Sequence, residues 1–259
     1  MKKVSIITPT MNRPDLLSLA YKYFLSQKYQ NLEWLILDDS DVPHPKFSDL
    51  KEGNISYFHS YRKMSIGEKR NILIDKAGGE LILNFDDDDY YSPDYVSLMT
   101  SFLEGNNLDL VNLRGFFVFN GSTHTLGYWD LMLKSGLHFE VSKNGVRAWD
   151  IDDNDGKTAF EHNHLGYGFG WIFRKRVWDR HPYPNINWNE DGEFALKALE
   201  NFKLGGISDQ KGNCLHFIHH NSTSKCFPQY ILPPLLVSNF FALEMIEDHL
   251  SASSSINKK

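Results

Sequence analysis

Cysteine is nearly absent from this chain: 259 residues hold only Cys214 and Cys226. Two thiols cannot make the disulfide framework of a small secreted domain, and the eleven residues between them contain no further Cys to complete a zinc ribbon. Both are expected to be reduced and buried. Long apolar runs are also missing. The nearest approach to the ~18 residues needed to span a bilayer, residues 230–245, contains Pro233, Pro234, Ser238, Asn239 and Glu244. Met1-Lys2-Lys3 leads straight into a short strand pattern, with neither the apolar core nor the cleavage site of a signal peptide. A soluble, cytoplasmic protein is expected. There is no excess of positive charge: 27 Lys and Arg against 33 Asp and Glu give −6, which argues against a nucleic-acid partner. Nor is there a Gly-x-x-x-x-Gly-Lys-Ser/Thr or Gly-x-Gly-x-x-Gly loop, so any phosphate must be held by a metal and by cationic side chains such as Lys69 and Arg70.

What is present is a foldable α/β pattern. Hydrophobic residues make up 41% and aromatics 14%, enough apolar surface to exclude disorder over most of the chain. Residues 4–8 and 32–37 read as strands buried on both faces, and between them Leu16, Leu17, Ala20, Phe24 and Leu25 recur at helical spacing after Pro14. A strand at 55–58, a helix at 67–77 stopped by Gly78-Gly79, a strand at 81–85, a helix opening at Pro93 and a strand at 108–113 continue the alternation. Beyond residue 113 it lapses: Asn120-Gly121 and Asn144-Gly145 signal hairpins, 193–200 is helical, 215–219 extended and 235–250 an amphipathic helix. The pattern predicts one α/β domain over 1–250, with a nucleotide-type half at 1–113, an acceptor-type half at 114–230, a C-terminal helix at 231–250 and a flexible tail at 251–259.

The acidic residues are bunched. Asp38-Asp39 follows the second strand and Asp86 to Asp89 the fourth, and ligands of open parallel sheets gather outside such carboxyl ends. Four adjacent carboxylates repel one another, so a hard cation such as Mn²⁺ or Mg²⁺, completed by substrate phosphates, is expected there. A haloacid-dehalogenase arrangement fails, because Tyr90 stands where Thr or Val is needed. An EF-hand closing at Gly156 fails too, with Ile151 and His162 at its first and twelfth positions, so 150–155 reads as a solvated loop.

Four blocks carry a family resemblance: Val4-Ser5-Ile6-Ile7-Thr8-Pro9-Thr10-Met11-Asn12-Arg13, then Leu35-Ile36-Leu37-Asp38-Asp39-Ser40, then Lys69-Arg70-Asn71 ahead of Ala77-Gly78-Gly79-Glu80, then Phe85-Asp86-Asp87-Asp88-Asp89. In order and spacing they resemble the GT-A glycosyltransferases of the family 2 type. Asn189-Glu190-Asp191-Gly192 looks like that family's Glu-Asp segment, and His219-His220-Asn221-Ser222-Thr223-Ser224 like its late His-Gly-x-Asn-Thr-Ser element, with His220 in place of Gly. Coverage runs from about residue 4 to residue 224. The resemblance implies a Rossmann-like, mostly parallel central sheet flanked by helices. It also implies a nucleotide-sugar donor, expected to be a UDP-sugar, and inverting transfer to a glycan or other hydroxyl acceptor.

On these positions the resemblance implies that Thr8, Arg13 and Asp39 or Asp38 bind the nucleotide, with Lys69 and Arg70 on base or diphosphate. Asp86 lies toward the ribose beside Asp87, Asp88 binds the metal, and His219 is its second protein ligand. If 215–219 is a strand, His216 and His219 face opposite ways and at most one meets the metal, with His220 as the fallback. Asp191 is the general base, Glu190 the lesser claimant. Tyr167, Phe169, Trp171 and Trp188 are candidate acceptor platforms, since aromatic faces suit sugar rings. No Gln-x-x-Arg-Trp element accompanies them, so a single addition is expected rather than polymer synthesis. A sugar nucleotidyltransferase would need an N-terminal Gly-rich loop, and a non-catalytic carbohydrate-binding relative would lack Asp88 or Asp191.

Overall fold

The computed structural model describes residues 1–50 and 53–256. In chain order the elements are β1 (Val4–Thr10), α1 (Pro14–Ser26), β2 (Leu32–Asp38), α2 (Pro45–Ser48), β3 (Ile55–His59), α3 (Ile66–Lys76), β4 (Leu81–Asn84), β5 (Tyr90–Tyr91), α4 (Tyr95–Gly105) and β6 (Leu110–Asn120). Then come β7 (Thr125–Asp130), β8 (Gly136–Ser142), β9 (Gly145–Ile151), α5 (Asp153–Ala159), β10 (Ile172–Arg174), α6 (Lys175–Arg180), α7 (Glu190–Leu199), β11 (Leu204–Ser208), β12 (Cys214–Ile218), β13 (Tyr230–Leu232), α8 (Val237–Phe240) and α9 (Leu243–Ser255).

One sheet runs through the molecule in the order β13-β7-β6-β10-β4-β1-β2-β3, with β11 and β12 also on β6 and β5 on β12. Its central run β4-β1-β2-β3 is parallel, because α1 and α3 cross over between apolar strands that must be covered on both faces. β10 enters antiparallel between β4 and β6. The register pairs Thr10 with Asp38 and Ile7 with Asn84, which brings the ends of β1, β2 and β4 to one edge. Beneath it Trp34, Phe85, Tyr91 and Tyr95 are fully buried, and Cys214 and Cys226 are free, buried thiols as expected.

Several elements depart from the sequence reading. Residues 235–250 do not form one helix: α8 ends at Phe240, Phe241 is extended (φ −136°, ψ 139°), and α9 restarts beyond it. The break lets the Phe241 ring pack edge-on to Phe117 at 5.5 Å and Tyr90 at 6.0 Å. Ser251 to Ser255, expected to be flexible tail, are the last turns of α9, and the expected tail at 257–259 lies outside the described residues. Residues 150–155 are solvated, Ile151 apart, as expected, but they are not a loop. They hold the end of β9 and the start of α5, whose N–H groups at Asn154 and Asp155 donate to the Asp152 carboxylate at 2.8 and 2.9 Å. The expected divide at 113 falls inside β6. Both Asn-Gly signals do mark turns between antiparallel strands, β6 to β7 and β8 to β9. Among the described residues no helix is long and apolar enough to cross a membrane.

Candidate active site

The site forms where β4 runs out. Leu81 to Phe85 are buried, and the chain then turns through Asp86 to Asp89 before returning as β5. Carboxylate oxygens of Asp86, Asp88 and Asp89 lie within 4.8 Å of one another, a separation suited to a hard divalent cation. Asp86 and Asp88 are partly open, whereas Asp89 is fully buried behind them.

Two guanidinium groups and two imidazoles converge on these acids. Arg13, at the start of α1, donates from one Nη1 to Asp87 at 2.9 Å and Asp88 at 2.8 Å. Arg70 of α3 lies 3.4 Å from Asp86 and donates to Glu190 at 2.5 Å. His216 meets Asp89 through Nδ1 at 2.8 Å, and His219 meets Asp88 through Nε2 at 3.2 Å. Burial pushes Asp86 up to about 7, against Arg70 and with the neighbouring aspartates. Burial acts the same way on Asp88, but Arg13 and His219 outweigh it and hold that carboxyl below its usual range. For His216 burial opposes the charge, yet Asp89 prevails and pushes the imidazole well up, so it is held as a cation.

His216 and His219 thus both reach the cluster, contrary to the alternation argument. β12 ends at Ile218, and a turn closed by Ser222, which donates its N–H to the His219 carbonyl at 2.9 Å, redirects His219. The Asn221 N–H donates to His219 Nδ1 at 3.2 Å, which leaves the proton on Nε2, facing Asp88. His220 does not join them; its ring lies 5.9 Å from that of His219, with a buried, unpartnered Nε2.

The other residues singled out in the sequence divide by burial. Thr8 is fully enclosed, its hydroxyl donating to the Phe85 carbonyl at 2.8 Å and accepting from Trp34 Nε1 at 2.8 Å, so it braces the strand ends and presents nothing to a nucleotide. Lys69 also turns inward, to the Thr10 carbonyl at 3.0 Å and Asp39 at 2.8 Å; it serves Asp39 rather than a phosphate. Asp39 further accepts the Met64 N–H at 2.8 Å. Asp38 accepts from the Ser40 N–H at 2.8 Å and the Tyr57 hydroxyl at 2.6 Å. Thr10, which sequence reasoning passed over, donates to Asp87 at 2.5 Å. Its signal was its parity with Thr8 in β1, which puts both on one face.

Across Arg70 from the acids stands the start of α7. Asn189 opens it in the left-handed region (φ 62°), a conformation Asn tolerates, and a Cβ on Gly192 would come within 2.2 Å of the Asn189 Oδ1. Asp191 therefore sits in the first helical turn, not ahead of it, close to the positive end of the helix. Its Oδ2 accepts the Gly168 N–H and its Oδ1 the Gly192 N–H, each at 2.8 Å. Glu190 is buried and committed to Arg70; burial pushes its carboxyl up against that pairing.

Of the four aromatic candidates, Trp188 is 79% exposed and offers a free face. Tyr167 is half-buried against Trp129 and Phe116, its hydroxyl on Asn163 at 3.1 Å. Phe169 is buried and stacked on His216 at 4.6 Å. Trp171 is fully buried, donating from Nε1 to the Leu165 carbonyl at 3.1 Å, and belongs to the core rather than to an acceptor surface.

Known proteins are similar to part of this sequence and to this architecture. The chain is 34% identical over 99 residues to the putative colanic acid biosynthesis glycosyl transferase WcaA of Escherichia coli K12, covering 37% of this chain and 36% of that protein. It is 38% identical over 95 residues to the GalNAc(5)-diNAcBac-PP-undecaprenol beta-1,3-glucosyltransferase of Campylobacter jejuni, covering 34% and 30% respectively. The matched segment is thus about a third of the length of these curated relatives. Among solved structures, S. aureus TarS 1-349 in complex with UDP-GlcNAc superposes with a TM-score of 0.64 at 19% identity, over 85% of this chain and 60% of that one. The mannosyltransferase PcManGT from Pyrobaculum calidifontis, in complex with GDP-Man and Mn²⁺, gives 0.56 at 14%, over 83% and 56%. At such identities the likeness is one of fold, and the fold is GT-A. The Glycosyl transferase family 2 model matches residues 5–181, well over half the chain, and the chain belongs to that family.

Proposed function

We propose that the protein transfers a single sugar from a nucleotide-sugar, a UDP-sugar by preference, to a hydroxyl of a glycan or similar acceptor, with a divalent cation and with inversion. The observation that carries this reading is the pairing, across Arg70, of a three-carboxylate cluster within 4.8 Å with a separate aspartate, Asp191, held at a helix start. The complexes of the neighbours, one with UDP-GlcNAc and one with GDP-Man and Mn²⁺, support a nucleotide-sugar and a metal without choosing the base.

Asp88 and Asp86 would hold Mn²⁺ or Mg²⁺, with Asp89 behind them, and His219 would join through Nε2 in the tautomer that carries its proton on Nδ1. When bound, the ion supplies Lewis-acid stabilisation of the departing diphosphate. The chain's own groups do the rest. Arg13, within reach of Asp88, and Arg70, beside Asp86, counter the charge of the diphosphate, while Asp38 and Asp39, themselves buried, brace the strand end beside the nucleoside. Asp191 takes the proton of the acceptor hydroxyl as its oxygen attacks the anomeric carbon opposite the leaving diphosphate. Fixing the Asp191 carboxylate with two backbone N–H groups keeps it aimed. Trp188 stacks on the acceptor ring.

A thermal-shift titration with UDP, GDP and dTDP, each with and without Mn²⁺, tests this. A ligand at about 100 times its dissociation constant adds about 2.7 kcal/mol, a clear rise in melting temperature. Asp88→Asn is expected to abolish the metal-dependent rise, and Asp191→Asn to keep it while losing turnover. No stabilisation by any nucleotide with metal would refute the proposal.

A further inference from the structure

Tyr91 has no place in the mechanism above, yet it connects the two halves of the site. It is fully buried, with its ring stacked on Phe85 at 3.9 Å and nearly parallel. Its hydroxyl accepts the Asp86 backbone N–H at 3.0 Å and donates to the Phe169 carbonyl at 3.1 Å. Asp86 opens the acidic turn. Phe169 lies in the short 3₁₀ strap Gly168–Gly170, whose first N–H holds Asp191. Asn84, the last residue of β4, fastens the same strap by donating to the Gly168 carbonyl at 2.7 Å. The strap is tightly seated, since a Cβ on Gly168 would lie 2.9 Å from Arg70 Nη1 and 3.1 Å from the Asp191 Cβ.

We infer that Tyr91 is a positioning residue for the transfer reaction: through one hydroxyl oxygen it sets the distance between the acidic turn and the strap that aims Asp191. The inference rests on the transferase reading of the site. The phenol remains a donor at every working pH, because burial pushes its ionisation well above the ordinary tyrosine value. Tyr95 supplies the natural contrast. It is equally buried, with its ring 5.0 Å from that of Tyr91, but its hydroxyl has no partner.

Tyr91→Phe removes both bonds and almost no volume, and Tyr95→Phe is the matched control. Hydrogen exchange read by mass spectrometry is followed in segments 165–171 and 189–193, with steady-state kinetics on whichever UDP-, GDP- or dTDP-sugar the wild type uses. Tyr91→Phe is expected to speed exchange in both segments and to lower kcat by roughly tenfold, a modest misplacement of a reacting group, with donor KM kept within about twofold. Tyr95→Phe is expected to match wild type in all of these. Should Tyr91→Phe not fold, Gly168→Ala presses on the strap from its other end, against Asp191 and Arg70, and is expected to speed exchange in both segments and to lower kcat; unchanged exchange there overturns the inference. Unchanged exchange in 165–171, or a wild-type kcat despite a loosened strap, overturns the inference. A wild type that transfers no sugar from any of these donors sinks the transferase reading instead, while the exchange result still decides the link.

Discussion

Lowering the pH from 7 to 5 is expected to weaken the fold through His249. This histidine of α9 is 1% exposed, stacked on Phe217 at 4.1 Å, with Nε2 on the Tyr23 hydroxyl at 2.8 Å and Nδ1 buried without a partner. Burial pushes its pKa down to about 3, with only partial opposition from Asp88 and Asp248, and with His219 adding to the fall. In the unfolded chain it returns to about 6.5, so between those values the unfolded state binds the extra proton and stability is lost as pH falls. At pH 5, 1.5 pH units below the unfolded value, the loss is about 2 kcal/mol at 1.36 kcal/mol per unit. That figure is set by the unfolded pKa as long as the folded one stays well below 5. Urea unfolding of the wild type and of His249→Phe at both pH values isolates the effect. The carboxylates titrate in both proteins, and the lost Tyr23 bond is a constant offset. The wild type should lose about 2 kcal/mol more than the variant. Equal losses would show that His249 is protonated in the folded protein and that the burial argument is wrong.

Three further outcomes can be measured by the same unfolding assay. Lys69→Met leaves the Asp39 carboxylate buried beside an apolar chain and is expected to cost about 3–5 kcal/mol, far more than loss of an exposed phosphate-binding lysine. Thr8→Val strands the Trp34 indole N–H and the Phe85 carbonyl, at about 1–3 kcal/mol for each group left unpaired. Trp171→Ala should cost about 3–5 kcal/mol by cavity formation, whereas exposed Trp188→Ala should change stability by less than about 0.5 kcal/mol and raise KM for the acceptor.

The parallel core was legible because its strands are short apolar runs punctuated by Pro14, Gly78 and Gly79, and nothing else buries such runs on both faces. The acidic turn was legible for the related reason that an apolar strand cannot continue into four aspartates. Which way a polar side chain turns was not. Thr8 and Lys69 carry no mark of burial in sequence, and only the indole of Trp34 in β2 and the carboxylate of Asp39 just beyond it decide that they face inward. The expectation that His216 and His219 face apart failed because alternation holds only while the strand lasts, and β12 ends one residue before His219. Asp152 reads as one acid among several until α5 begins two N–H groups away. Tyr91 carried no signal, since a hydroxyl joining Asp86 to Phe169 spans 78 positions from ring to carbonyl.

β6 has a consequence for how the chain is made. One of its edges is covered at once, when β7 folds back along Gly115 to Asn120. The other edge belongs to β11 and β12, and Leu215, which pairs with Phe117, lies 95 positions beyond Asn120. At roughly 5–20 residues per second, a ribosome needs about 5–19 s to deliver that cover. For that interval Phe117, Val118 and Phe119 line an unpaired edge, the kind of surface that recruits a strand from another chain. The yield of folded protein should therefore depend on how quickly, and how dilutely, residues 204–218 arrive.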